Sequence, residues 1–395
     1  MNAKVIPAPT TLPMPAGVRS AALAKQIDPW IMGATVGLVG IGIVMVYSAS
    51  AVRAFGSGGE SSSFLMRHLF SVALGMLGLT AALRIPTEKW SRYAYPLLLL
   101  SFLMLCAVFV PGLGRRVNGA VRWLNLGFMG FQPGELAKLA VVVYLAHSLA
   151  KKRERVAIFS VGFVPHVLVT SAMVLLILVQ PDFGTSVIIF ATLGLMMFVA
   201  GTRIGYLLIA MVLAIPVGFI YVRLKPHAFQ RLIVFLDPEA YKSNIGYQIW
   251  ESLVSFGSGG PFGLGLGQGH QKLYFLPEAH SDFVFAVVGE ELGFVGVLLV
   301  VSLFVVLIGR ALTIARKASV RFSMFLAFGI AAWLGCQALI NMMVVVALVP
   351  TKGLTLPFVS FGGSSMIVGL TAIGVLLRVT AEERALAGSG RRAEA

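Results

Sequence analysis

The chain has 395 residues, 58% of them hydrophobic and 12% charged, with the apolar residues gathered in runs of about twenty, the length that crosses a bilayer's hydrocarbon core. That pattern excludes a soluble globular core and predicts an all-α polytopic membrane protein. The 31 Lys and Arg against 16 Asp and Glu give a net charge of +15, which here reflects cytoplasmic loops and membrane lipids; no nucleic acid is expected.

Residues 1–29 carry Pro7, Pro9, Pro13 and Pro15 among small residues, with too little hydrophobicity for a signal peptide, and read as a disordered cytoplasmic tail. Spans are predicted at 30–51, 64–83 and 93–110. Between Pro111 and Pro133 lies GLGRRVNGAVRWLNLGFMGFQ, whose Arg115, Arg116 and Arg122 cannot sit in lipid, so it reads as a structured interfacial loop. Trp123 beside Arg122 fits either an aromatic-belt anchor or a surface for a lipid-linked polar head.

A fourth span at 135–149 opens with Glu135 and Lys138, which at i,i+3 share a helix face as a prospective ion pair, structural or substrate-facing. KKRER at 151–155 marks a cytoplasmic loop, and a fifth span follows at 157–179. QPDFG at 180–184 is a tight turn into a sixth span at 185–200, with Asp182 at its tip as a cap or a binding residue. The seventh span is 204–222.

Residues 223–281 form a loop far longer than its neighbours, and loops of that size are usually functional. It holds Arg231, then YQIWESLVSF, which reads as an amphipathic helix on the membrane surface. The glycine run FGSGGPFGLGLGQG has no strand before it, so a nucleotide site is not expected.

In KLYFLPEAHSDFVFAVVGEELG the polar loop turns directly into an apolar helix, with Asp282 at the seam. Two readings stand there: a helix N-cap, and a functional carboxylate at the mouth of a span. Ala286, Gly289 and Gly293 share its face, a spacing suited to close helix packing or to an acyl groove. Glu290 and Glu291 fall about 12 Å deeper, which calls for a water-accessible cavity.

The eighth span is 283–308 and the ninth 322–349, where Gln337 and Asn341 at i,i+4 read as interhelical hydrogen-bonding glue. PTKGLTLPFVSFGGSS then re-enters a tenth span ending near 379, and 381–395 reads as a cytoplasmic tail. Lys and Arg concentrate on the side that carries the termini, which places both in the cytoplasm and the long loop, Asp182, Asp282 and Lys352 outside. Cys106 and Cys336 fall in apolar runs and read as small buried hydrophobes.

QPGELAKL, QPDFGTSV, RLIVFLDPEAY, LPEAHSDFVFAVVGEELGF and PTKGLTLPFVSFGGSS, in this order over residues 30–380, resemble the SEDS family of peptidoglycan glycosyltransferases, nearer its cell-division than its elongation member. The resemblance implies a lipid II polymerase of the bacterial inner membrane, acting at the division septum with Asp282 as the catalytic general base. A departing lipid pyrophosphate needs cations to stabilise it, and the candidate substrate-binding residues are Arg122, Trp123, Glu135, Lys138, Asp182 and Arg231. His280, Lys352, Ser360 and Ser364 belong to the same expectation. The resemblance further implies a divalent cation, Mg or Mn, with its ligands unassigned, and as partners a class b penicillin-binding protein, an FtsI-like transpeptidase, with other divisome proteins. Ten helices with buried charges would also serve a lipid II flippase or an ion-coupled transporter, and a non-catalytic division scaffold is a third reading.

Overall fold

The computed structural model describes residues 27–56, 62–117, 120–125, 127, 129–224, 226–242, 246–270 and 279–393, with the backbone alone at 51–56, 62–63, 226–228 and 388–393. Most of the expected N-terminal tail, and Glu278, whose place just before the eighth span suits a charge near a helix start, lie outside the described residues.

Helices cover every span read from the apolar runs. Helix α1 is Pro29–Gly56, α2 Ser62–Arg84, and a short α3, Thr87–Arg92, leads into α4, Ala94–Ala107. Helix α5 is Pro133–Lys152, α6 Val164–Val179, α7 Phe183–Val199 and α8 Ile204–Leu224. The long loop contains α9, Pro226–Leu236, and α10, Tyr247–Gly259. The last three are α11, Val284–Lys317, α12, Arg321–Val345, and α13, Gly363–Ala393, which runs on well past the predicted end of the tenth span.

Among the described residues, seven helical segments are long and apolar enough to cross a membrane: α1, α2, the segment 159–179 ending in α6, α8, α11, α12 and α13. Helices α4 and α7 are apolar but shorter. Helix α5 has the length, at 20 residues, but carries Glu135 and Lys138 inside it. It is the centre of the bundle: all but two residues between Pro133 and Ala150 are buried, so its charged pair meets protein and not lipid. Helix α8 is the opposite case, with no buried residue.

The bundle is helical as expected, and one small sheet is added to it. The segment between Pro111 and Pro133 forms an antiparallel three-stranded sheet, β1 Gly114–Val117, β2 Ala120–Asn125 and β3 Gly130–Phe131, in the order β1-β2-β3. Arg115 pairs with Trp123 and Leu124 with Phe131. A stretch with three arginines cannot enter lipid as a helix, and pairing its own backbone groups satisfies them at the interface.

Helix α10 also departs from expectation. It is helical as read, but it docks on protein: Ile249, Ser252, Ser255 and Gly259 are buried, and Ser252 Oγ donates to the Val345 carbonyl at 2.7 Å. The small-residue stripe of α11 receives it, since a methyl group on Gly259 would stand 2.0 Å from the Gly289 carbonyl oxygen. The stripe therefore serves close packing.

Candidate active site

Helix α11 begins at Val284 with Phe283 in the cap position and no side-chain cap bond. Asp282 stands one residue before the cap, half-buried, and Asn341 Nδ2 of α12 holds its backbone carbonyl at 3.0 Å. The same amide donates to the Leu354 carbonyl at 2.6 Å, so Asn341 joins the Asp282 segment to the stretch that follows α12. That stretch touches the carboxylate: a methyl group on Gly353 would stand 3.2 Å from Asp282 Oδ2.

Lys352 is next to Gly353. Its Nζ lies 4.4 Å from the centre of the Phe183 ring at the start of α7, and burial holds its ammonium below the usual lysine range. Arg231 of α9 reaches the Thr351 carbonyl at 3.5 Å. Its side chain is open at the surface, yet its apolar surroundings lower its pKa, Asp282 raises it and Arg122 opposes Asp282. The fold thus brings Asp282 and Arg122 within the electrostatic reach of Arg231, although these residues are far apart in the chain.

Arg122 Nε donates to the Gln180 carbonyl at 3.1 Å, which ties the sheet to the turn before α7. Asp182 is buried and caps α7, accepting from the Thr185 amide at 3.1 Å and its hydroxyl at 2.9 Å. It also accepts from Gln132 Nε2 at 2.9 Å. Trp123 lies in β2 with its ring against Gly130, a half-buried face of the sheet.

Glu135 and Lys138 form the expected pair at 2.8 Å, both nearly inaccessible to solvent. Lys138 Nζ also donates to Gln337 Oε1 at 2.6 Å and lies 5.3 Å from the Trp333 ring centre. Gln337 Nε2 donates to the Thr355 carbonyl at 3.0 Å, and Thr355 Oγ1 to Ser365 Oγ at 3.1 Å. Gln337 therefore links α12 to α5 as expected of interhelical glue, whereas Asn341 bonds to two non-helical segments, and both hold the 350–362 segment that carries Lys352.

His280 is buried, with its ring centre 5.3 Å from that of Phe64 and 5.6 Å from that of Phe361. Ser360 Oγ accepts from the Leu356 amide at 2.8 Å and Ser364 Oγ from the Gln132 amide at 2.9 Å. Both serines are buried and shape the backbone around the site. Among the described residues no three His, Cys, Asp or Glu side chains cluster as a metal site.

The family model described as a cell cycle protein, for FtsW, RodA and SpoVE, matches residues 29–385. The "Probable peptidoglycan glycosyltransferase FtsW" of Trichlorobacter lovleyi is 42% identical over 356 residues, covering 90% of this chain and 93% of that protein. Its namesake from Coxiella burnetii is 41% identical over 367 residues, covering 92% and 99%. A chain in the solved structure "Structural coordination of polymerization and crosslinking by a peptidoglycan synthase complex" aligns with a TM-score of 0.75 at 30% identity, covering 90% of this chain and 98% of that one. The rod shape determining protein RodA of Thermus thermophilus aligns at 0.66 with 29% identity, covering 90% and 96%.

Proposed function

The chain belongs to the FtsW/RodA/SpoVE family of cell cycle proteins, and from that premise we propose that it is a peptidoglycan glycosyltransferase that polymerises lipid II during septal cell-wall synthesis. Ten helices cross the inner membrane in this reading, with both termini cytoplasmic and Asp282 at the outer face, where membrane-tethered lipid II presents its sugars.

The observation that carries the mechanism is the meeting of Asp282 with the Lys352–Gly353 backbone and the field of Arg231. Asp282 takes the proton from the attacking sugar hydroxyl as its oxygen bonds to the anomeric carbon of a second lipid II. The bond from that carbon to the lipid pyrophosphate breaks, and the pyrophosphate leaves with the electron pair. Arg231, Lys352 and Arg122 hold the charge that develops there. Glu135 and Lys138 fix the floor of the site through Gln337 and Thr355.

A resident metal cage does not fit these side chains, because Asp182 is engaged as a cap and Glu135 is paired with Lys138. A Mg or Mn ion fits as a companion of the substrate's pyrophosphate, which is how Mg is commonly bound, with Asp282 the nearest carboxylate. The likeness to a chain of a peptidoglycan synthase complex supports a class b penicillin-binding protein as the partner.

The test is glycan synthesis from purified lipid II by the reconstituted chain, with and without that partner. Glycan strands are expected. Movement of labelled lipid II between leaflets without glycan would replace this reading with a transporter, and neither activity would leave a scaffold.

A further inference from the structure

The glycine-rich run between α10 and Asp282 has no part in the chemistry above, and most of it is exposed, yet its backbone bonds to buried Glu290 and Glu291 of α11. Helix α11 is interrupted at Gly293, whose backbone at φ 64° and ψ −162° is closed to a residue with a side chain. A broken helix leaves carbonyls before the gap and amides after it without intrahelical partners, and in apolar surroundings such groups must be met by protein. Residues 260–265 meet them from both sides. The Leu264 and Gly265 amides donate to the Glu290 and Glu291 carbonyls at 3.0 and 3.1 Å. The Phe294 and Val295 amides donate to the Gly260 and Pro261 carbonyls at 2.9 and 3.1 Å.

The two carboxylates extend the same grip. His270 N donates to Glu290 Oε1 at 2.6 Å and Gly267 N to Glu291 Oε2 at 3.1 Å. Ser48 Oγ of α1 lies 2.7 and 2.8 Å from the two oxygens of Glu291. Both glutamates are fully buried, so the donors expected from a water-filled cavity come from the glycine run and α1. A methyl group on Gly263 would stand 2.1 Å from the Glu291 carbonyl oxygen, which is why only glycine permits the approach.

His270 and Glu290 bracket Asp282 in sequence, and their bond closes a loop of 20 residues around it. One end of that loop is the glycine run, and the other is the short helical piece of α11 before Gly293. We propose that Glu290 and Glu291 are positioning residues for Asp282, clamping both ends of its segment to the break in α11. This deepens the glycosyltransferase reading and rests on it. The effect of the two glutamates is exerted through the geometry of the Asp282 segment.

The full chain, reconstituted in proteoliposomes with purified lipid II, is compared as wild type, Glu290→Ala, Glu290→Gln, Glu291→Ala and Glu291→Gln. Amide hydrogen exchange over 259–270 is followed in the same samples. The alanine variants are expected to lose about ten- to a hundredfold in kcat with KM for lipid II little changed, the signature of a displaced catalytic group. The glutamine variants keep an acceptor oxygen and are expected to recover most of that loss, within about threefold of wild type. Exchange at 259–270 is expected to accelerate in the alanine variants alone. Wild-type turnover in the alanine variants, glutamine variants as impaired as alanine, or unchanged exchange would each overturn the clamp. A wild-type protein that makes no glycan would instead remove the underlying reading, and the exchange measurement would then decide the clamp by itself.

Discussion

At the end of the bundle where the first and last helices meet, buried Asp28 accepts from Arg310 of α11 at 2.5 Å and Arg384 of α13 at 3.0 Å. Glu382 there binds Arg378 at 2.6 Å and the Thr87 amide at 3.1 Å. At the opposite end Lys352 lies against an aromatic ring and Arg231 reaches a carbonyl, with Asp282 in the electrostatic reach of Arg231. Both ends concentrate charge in a chain that carries little of it. One end uses it to tie α1, α3, α11 and α13 together, and at the other the cations Lys352 and Arg231 are met by an aromatic ring and a carbonyl. A charge already met by complementary groups adds stability, while one met by a ring or a single carbonyl retains the capacity to bind an anion.

The Glu135–Lys138 pair sits toward the second end but is paired as at the first, so breaking it is the severest check on the contrast. Lys138→Met leaves Glu135 buried without its counter-ion, and a stability loss of about 3–5 kcal/mol is expected. Adding Glu135→Gln should restore part of it. A double-mutant cycle in unfolding measurements checks the coupling, and additive losses would assign the pair no structural role.

Asp28→Asn is the corresponding test at the tied end. A loss of about 1–3 kcal/mol in stability is expected, with turnover per folded molecule unchanged. Burial alone would raise the Asp28 pKa, but the Arg310 bond and the Ile31 and Trp30 amides bring it below its ordinary 3.8. A depressed carboxylate contributes stability that is full above its unfolded pKa and is lost as pH falls through the folded value. The wild-type melting temperature should therefore fall below about pH 4 for this group, and the fall should shrink in Asp28→Asn.

Lys352→Met keeps most of the stem's packing and removes the charge. With Arg231 and Arg122 still present, about a tenfold drop in turnover and weaker lipid II binding are expected, with the melting temperature unmoved. Because burial lowers its pKa from 10.5, the cation is lost at a lower pH than an ordinary lysine's. The alkaline fall in wild-type rate should begin correspondingly early and be missing from Lys352→Met.

Much of this was legible in the sequence because it is local. The i,i+3 pair of Glu135 and Lys138, the cap at Asp182 and the link from Gln337 to another helix follow from helix geometry and from the cost of unpaired polar groups in a membrane. The sheet at 114–131 was missed, although Asn118–Gly119 between short β-compatible runs is a strong hairpin signal in sequence. The clamp at Glu290 and Glu291 was out of reach for another reason. Its donors are backbone amides of a glycine run, which carry no side-chain signature, and only the fold shows which carboxylates they meet. The reading of Asp282 as a cap gave way because the helix starts one residue later than the spacing suggests, with Phe283 in the cap position, and the protein contacts of the YQIWESLVSF helix are ones that no local pattern encodes.

The central claim is that Asp282 carries the chemistry and not the fold. Asp282→Asn keeps the size and shape of the side chain while removing basicity, so it is measured beside wild type for glycan formed from purified lipid II and for melting temperature in the same proteoliposomes. The account predicts a loss of at least about a hundredfold in polymerisation with an unchanged melting temperature. Polymerisation near the wild-type rate by a well-folded Asp282→Asn protein would contradict it.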